Sequence, residues 1–518
     1  LAIELAASWV RFMSCGEIAH QLAQNSNIFT TTLRNVPERH RSLRSLFDQS
    51  WRLLSPVEQS VLRRVSAFRG GWTLDEAGQV ADATFPILVG LVDKSLVRTN
   101  GQGHFDLHEL VRQYAAEQLG TSGEVDLIRQ RHHGTYLQLF RTGDSHLRGP
   151  QAPNWFARLD VEQDNLRAAL QWALDEARYT DIAWLLVAVD WYWSVRGQWY
   201  EAGWWMARLL PHRSALSDDL RLAVLTYLYV VSRAVEEFRP IDRYTGEFMQ
   251  LMAGGTSKLL HAHVWYFVAF NSSDFLQATE AFEHLLAAAR AACEAPALGP
   301  EFCLFTDLEF MLVTVLWGYA TFLIERGEIA RAEPLLTQSL SLYKARANQY
   351  EVADAFSTLG SLALVQGDLV QAHTHFQEAV TLATAVNNRE TIGYSQPLLA
   401  LVTLYSGDAY EARRLLSESL RICLEMKDSF FLARVCAFLA EVDLAEGNLE
   451  GAEGCLARSF IYHADPHKIV IDQVQRLFVA ARLAAAQQRY RRAATLFGLA
   501  GQVHSTIHDV IAGPMRAL

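Results

Sequence analysis

The chain is poor in the features that mark most specialised protein classes. Its six cysteines, at positions 15, 293, 303, 423, 436 and 455 of 518, form no C-x-x-C pair and no even framework. That excludes a disulfide scaffold and a cysteine-rich zinc module, and reads as small buried thiols in a reducing cytoplasm. Only 30 glycines and 13 prolines exclude collagen-like, mucin-like and disordered chains. The uncharged stretches Phe310–Ile324 and Thr391–Gly407 fall short of the roughly 20 apolar residues that a membrane span requires. No signal peptide opens the chain. G-x-x-x-x-G-K-[ST], G-x-S-x-G and H-E-x-x-H are all missing, so the chain is not expected to be an enzyme or to hold a cofactor by itself.

What is present is a globular composition, half hydrophobic and 20% charged, with a length that suits about three or four structural units. The formal charge is −11, from 46 basic and 57 acidic residues. Residues 1–120 balance at 12 of each sign, so the whole excess lies beyond them. An acidic body of this kind repels phosphate backbones and makes a poor nucleic-acid binder.

Five segments share one pattern: Gly327–Ala332, Gly367–Ala372, Gly407–Ala412, Gly447–Ala452 and Gln488–Ala493. Their starts are spaced 40, 40, 40 and 41 residues apart. Four and seven residues after each alanine come a large and then a smaller residue: Leu336/Ser339, Phe376/Ala379, Leu416/Ser419, Leu456/Ser459 and Phe497/Ala500. Glycine suits the left-handed cap of a first helix, and the Asp, Asn or Glu after it suits the start of a second. The alanine is small where the two helices cross. Between 368 and 386, Leu369, Ala372, Phe376, Ala379 and Ala383 recur at three- and four-residue steps along one helix face. Each pair leaves an apolar face open, so the pairs are predicted to stack into a solenoid. The pattern resembles the tetratricopeptide repeat with a period of 40 instead of 34, which lengthens the helices by about one and a half turns per pair. Weaker units start at Gly197 and Ser273, with a degenerate one near Glu237–Met249, and about eight pairs are expected from 175 onward.

The first 120 residues have another texture. Leu1–Phe12 reads as an amphipathic helix, and Ser14 as the cap of a second, with Glu17 at the capping-box position. Ser42–Leu54 is predicted helical. Ser55-Pro56-Val57-Glu58 carries a cap, a first-turn proline and an N3 glutamate for a helix to Val65. A Gly70-Gly71 turn leads to a short helix at Asp75–Val80, and Pro86–Lys94 is another. Leu96–Thr99 and His104–Leu107 form a hairpin around Gly101 and Gly103, followed by a helix from Glu109 to Leu119. Helices followed by a two-stranded wing predict a winged helix.

Here a family resemblance enters. Leu1-Ala-Ile-Glu-Leu-Ala-Ala resembles the tail of the Gly-Leu-Pro-Leu-Ala motif of nucleotide-binding NB-ARC domains. The runs Ser42-Leu-Arg, Leu54-Ser-Pro-Val-Glu-Gln, Phe68-Arg-Gly-Gly-Trp-Thr, Leu91-Val-Asp-Lys-Ser-Leu-Val and Leu107-His-Glu-Leu-Val-Arg-Gln-Tyr-Ala resemble the winged-helix part of that module. Trp155-Phe and Asp164-Asn-Leu-Arg-Ala-Ala-Leu resemble the stretch that joins it to the tetratricopeptide sensor in bacterial STAND-class regulators (signal-transduction ATPases with numerous domains). The chain opens inside an amphipathic segment and is read as a piece of a longer protein, whose ADP/ATP- and magnesium-binding half is expected upstream. The resemblance implies that His108, in a Leu-His-Glu run similar to the family's Met-His-Asp motif, touches the β-phosphate of ADP and holds the resting state closed. An imidazole donates a hydrogen bond and gains charge near an anion, which suits that task. The alternative is a histidine that merely ends a wing strand.

Other candidates weigh less. His261/His263 and His373/His375 are spaced by two, so on a helix each pair diverges by about 200° and cannot share a metal ion. His132-His133 reads as part of a polar helix, and Gly254–Lys258 as an interhelical loop. Eight of the thirteen tryptophans lie between 155 and 205. Trp191, Trp193, Trp199, Trp204 and Trp205 either pack the first repeats or line a ligand site at the mouth of a solenoid groove. The candidate reading helix, Pro86–Lys94, is apolar, which disfavours DNA binding by the winged helix. Arg34, Arg39, Arg41 and Arg44 form the one basic cluster.

These readings predict four segments: the end of a helical subdomain at 1–33, a winged helix at 34–120, a helical linker at 121–174 and a tetratricopeptide-like superhelix at 175–518. The implied function is the sensor of a STAND-class transcriptional regulator, whose solenoid takes an inducer or partner protein. Oligomerisation on activation is part of that expectation. The rivals are a constitutive protein-binding scaffold and a DNA-binding activator.

Overall fold

A computed structural model describes residues 14–17, 43–101, 103–235, 242–253, 275–294, 308–325, 328–346, 348–462 and 470–505. Among them the fold is mainly helical, as expected. The chain divides into two compact units, one of Leu1–Phe140 with Ala157–Asp181, the other of Arg141–Phe156 with Ile182–Leu518.

The first unit begins with local signals that act as read. Ser14 and Glu17 exchange backbone and side-chain hydrogen bonds as a capping box. Helix α1 (Leu43–Arg52) precedes α2 (Pro56–Val65), which Ser55 and Glu58 cap reciprocally. A second box, Thr73 with Glu76, opens α3 (Leu74–Ala81). Helix α4 spans Phe85–Asp93 and α5 spans Glu109–Ser122.

The wing has three strands where two were predicted. Strands β1 (Trp72–Thr73), β2 (Arg98–Thr99) and β3 (His104–Asp106) pair antiparallel in the order β1-β3-β2, with Trp72 opposite Phe105 and Arg98 opposite Asp106. Gly71 makes the extra strand possible, since a Cβ there would meet the Phe105 carbonyl oxygen at 3.1 Å. Trp72 then turns inward and stacks on Phe68 at 5.1 Å, in a core shared with Val65, Leu88 and Leu91. Three further helices follow: α6 (Val125–His146), α7 (Ala152–Asp160) and α8 (Gln163–Asp175).

The second unit takes the end of α6 and the start of α7, and then, from Ile182 within α9 (Tyr179–Ala188), α10 (Asp190–Arg196), α11 (Trp199–Leu209), α12 (Asp218–Ala234), α13 (Asp242–Ala253) and α14 (Phe275–Glu294). Five regular pairs come next: α15/α16 (Leu308–Glu325, Ile329–Arg346), α17/α18 (Gln349–Val365, Leu369–Ala385), α19/α20 (Arg389–Tyr405, Ala409–Met426), α21/α22 (Ser429–Ala445, Leu449–Tyr462) and α23/α24 (Val470–Ala486, Tyr490–Ser505).

The turns within pairs at 367, 407 and 447 are built alike, and the turn at Gly327 lies outside the described residues. Gly367, Gly407 and Gly447 sit at positive φ, and Gln488 adopts the same left-handed conformation at φ 59°. Asp368, Asp408 and Asn448 then cap the second helix, accepting from the backbone N–H three residues on. The crossing alanines 332, 372, 412, 452 and 493 are buried throughout. Gly360 lies against the Phe376 ring, and a Cβ there would be 2.7 Å from it. The turns between pairs repeat as well: Asn348, Asn388 and Asp428 cap at 40-residue intervals, after left-handed Asn387 and Lys427 in the last two.

Candidate functional site

His108 stands at the N-terminus of α5, exposed, with Nδ1 accepting the Leu110 backbone N–H at 3.2 Å. A ring that accepts at Nδ1 carries its proton at Nε2 when neutral, so the outward nitrogen is a donor. A donor at a helix N-terminus is matched to an anionic oxygen. The chain has no Gly-rich loop to hold the rest of a nucleotide.

Among the described residues, several cations of this unit are paired within it. Glu124 accepts from Arg63 and Arg64, which hold its carboxyl down at about 2, chiefly through the Arg64 hydrogen bond. Asp82 takes Arg64 and Arg131, Glu58 takes Lys94, and Asp106 takes Arg98. Helix α4 buries Leu88 and Leu91 and exposes Phe85 and Val89, so its outward side is apolar. Such a helix has little with which to read base edges. Of the basic cluster, Arg34, Arg39 and Arg41 lie outside the described residues. So do His261, His263 and the Gly254–Lys258 loop.

The most connected polar residue of this unit is one that the sequence did not single out. Asn165, fully buried on α8, accepts the Arg69 N–H at 2.7 Å and pairs with His132 Nε2 at 3.3 Å. It donates to the Gly71 carbonyl at 3.0 Å and to Glu162 at 2.8 Å. Arg158 bridges Glu162 to Glu76 on α3. The linker helix is thereby pinned to the Phe68–Thr73 turn and to the wing's first helix. Burial, and then repulsion from Glu76, raise the Glu162 carboxyl to about 7. Burial lowers His132 to about 4.

His132 and His133 are not on a polar surface as read; both are buried. His133 reaches the Ala169 carbonyl at 3.1 Å and Asp181 at 3.3 Å, so it is a structural cross-brace.

In the second unit Trp193, Trp199 and Trp205 are buried, while Trp191 and Trp204 are partly exposed. Trp204 and Trp205 meet edge to face with centroids 4.6 Å apart. Arg208 stacks over Trp204, and Arg148 lies 5.8 Å from the Trp191 ring centroid. Arg148 itself is buried between Asp144, at 2.5 Å, and Asp190, at 3.4 Å. Burial pushes Asp190 up to about 7.

Along the first helices of the pairs runs a polar ladder: Trp317 Nε1 donates to Thr358 at 2.6 Å, Thr391 to Asp354, and Ser395 to Ser357 at 2.7 Å. Among the described residues no group of His, Cys, Asp and Glu could hold a metal ion, and no helix is long and apolar enough to cross a membrane.

No protein-family model matches the chain. It is 34% identical over 239 residues to proteins named putative HTH-type transcriptional regulators in Mycobacterium tuberculosis and Mycobacterium bovis. That match takes in 43% of this chain and only 27% of those relatives. An uncharacterised M. tuberculosis protein is 33% identical over 143 residues, covering 26% of this chain and 36% of its own length. Among solved structures, a STAND protein with a tetratricopeptide repeat sensor from Pyrococcus horikoshii aligns with 96% of this chain and 71% of its own, at 13% identity and TM-score 0.42. A Rap protein, solved in complex with competence and sporulation factor, aligns with 72% of this chain and 98% of its own at 13% identity. Its TM-score of 0.50 makes this a likeness of fold. The chain is thus a helical-repeat protein with sequence relatives named as transcriptional regulators, and it spans about a quarter of their length.

Proposed function

We propose that this chain is the sensing and relay part of a larger STAND-class transcriptional regulator, in which the helical array takes a protein or peptide partner and the winged domain clamps a nucleotide-bound resting state. The observation that carries the reading is the apolar outward side of α4, beside ion-paired cations among the described residues, which suits docking on protein better than reading DNA. The network at Asn165 supports a relay, because it fastens the wing to the helices that lead to the array. When nucleotide is bound by the longer protein it supplies an anionic phosphate; His108, held by its cap with Nε2–H outward, is the residue here that fits it. The chain itself is proposed to be no ATPase and to bind nucleotide only weakly, and the DNA-reading helix of the regulator is proposed to lie elsewhere.

The test uses two substitutions at one position in the longer protein. His108→Asn keeps the helix cap, since Asn is a preferred N-cap, but removes the Nε2 donor. His108→Ala removes both. Constitutive transcriptional output from both variants, with folding retained, supports the clamp. Wild-type output from His108→Asn refutes it. A gel shift of residues 43–122 on operator DNA would restore the DNA-reading alternative, and calorimetry showing micromolar ADP binding by this chain alone would overturn the weak-binding expectation.

A further inference from the structure

Three successive turns of the helical array are gripped by two earlier segments of the same unit, one at Arg148–Phe156 and one at Arg196–Tyr200. At the first, Arg346 donates to the Arg148 carbonyl, and the Phe156 ring packs on Tyr350 with centroids 4.3 Å apart. At the second, Arg196 Nη1 donates to the carbonyls of Val386, at 3.0 Å, and Asn387, at 2.8 Å. At the third, Lys427 Nζ lies 4.0 Å from the Tyr200 ring centroid, and Gly197 abuts Met426 so closely that a Cβ would be 2.6 Å from its Cε.

The gripped positions follow the repeat period: 346 and 426 end the second helix of a pair, and 386 is the residue just after Ala385 ends another. At the second turn the two accepting carbonyls belong to the C-cap Val386 and to the left-handed Asn387 after it, where backbone oxygens have no partner within the helix and a doubly donating guanidinium supplies one. A lysine in a left-handed turn presents its ammonium outward, where a tyrosine face attracts it. Arg196 also lies over the Phe156 ring, 4.6 Å from its centroid, tying the first two grips together.

We infer that Arg196–Tyr200 is an intramolecular clasp over two successive turns between helical pairs, at 386–387 and 426–427, and that releasing it uncovers these turns for a protein partner presenting an arginine and an aromatic residue on one short segment. The inference rests on the reading that the array takes a protein partner. It differs from that reading in naming the surface and its resident occupant.

Hydrogen–deuterium exchange on the whole chain tests the clasp. In Arg196→Ala/Tyr200→Ala, amides at 386–390 and 426–430 are expected to exchange together, at least about tenfold faster than in the wild type, while the centres of α19 and α21 keep their protection. Acceleration confined to one turn, or spread evenly through α24, overturns the clasp. Should that variant not fold, the milder Arg196→Lys/Tyr200→Leu serves instead: it is expected to accelerate the same two turns, since lysine cannot donate to both carbonyls and leucine offers the ammonium no ring face. No acceleration at either turn counts against the inference. A synthetic peptide of residues 190–209 then probes the surface. Saturable binding to the opened chain and not to the wild type is expected, whereas equal binding to both, or none to the opened chain, overturns it. Failure here leaves the His108 test of the broader function unaffected.

Discussion

Replacing Asn165 by Ala isolates the joint between the winged domain and the linker helices. The side chain makes four hydrogen bonds in a site without solvent, two to the backbone of the Gly-Gly turn, one to Glu162 and one to His132. A buried polar group left without a partner costs about 1–3 kcal/mol. Four partners lose a bond together, and relaxation lets some recover, so the expected loss is roughly 3–5 kcal/mol, the upper end for a single substitution. Asn165→Asp keeps the shape and the two acceptor roles but turns a carboxylate toward Glu162 and the Gly71 carbonyl, so a similar or larger loss is expected at neutral pH. Urea unfolding followed by tryptophan fluorescence measures both, since Trp72 belongs to the turn being released. A loss below about 1 kcal/mol for Asn165→Ala would refute the reasoning, because it would mean that water satisfies these groups.

The same joint predicts a pH signature. The folded chain keeps a proton on Glu162 that the unfolded chain gives up between pH 4.5 and about 7, so this stabilisation fades as pH rises through that window. His132 does the opposite: the unfolded ring takes a proton below 6.5 that the folded ring refuses until about 4, so stability is lost as pH falls. The slopes oppose, and Glu162→Gln is expected to unmask the second, with stability rising by up to about 3 kcal/mol from pH 4 to 6.5 in denaturant titrations; a profile no steeper than the wild type's would count against it. In the array, Gly360→Ala is expected to lower stability by about 1–3 kcal/mol despite the better helix former, and Phe376→Leu in the same chain to recover part of it in thermal melts. Phe376→Ala should cost about 3–5 kcal/mol, whereas Phe497→Ala, at the same motif position but 42% exposed, should cost under about 1. Equal losses would count against this reading of burial at the two positions.

Legibility from sequence divides by range. The boxes at Ser14 and Ser55 and the Gly-Asp turns at 367 and 407 are four- to six-residue devices, complete in the local sequence, and the structure places them as read. The Thr73–Glu76 box was equally local and was overlooked because the Gly-Gly pair beside it reads as a plain turn. Strand β1 is two residues long, too short for any periodicity, and exists through Phe105, 33 positions on. Asn165 lay in view within the Asp164-Asn-Leu motif, but its work depends on partners more than ninety residues away. Arg196 and its carbonyls are separated by 190. The exposure of Phe497 was also illegible, since its motif reads the same as those whose large residue is buried.

The two kinds of turn in the array bear on how such a chain changes over generations. At 348, 388 and 428 and at 368, 408 and 448 the helix that follows is capped by a side chain bonding to its own neighbours, whatever distant contacts are added. A block of 40 residues therefore brings its own corners, and duplicating or deleting one leaves every remaining corner intact. A single-residue slip is different, since within a helix it rotates the apolar face by about 100°. The one 41-residue step, from Gly447 to Gln488, ends at a corner where glutamine still bends as glycine does. Whole-block changes in length should therefore accumulate in lineages of this array far faster than small ones.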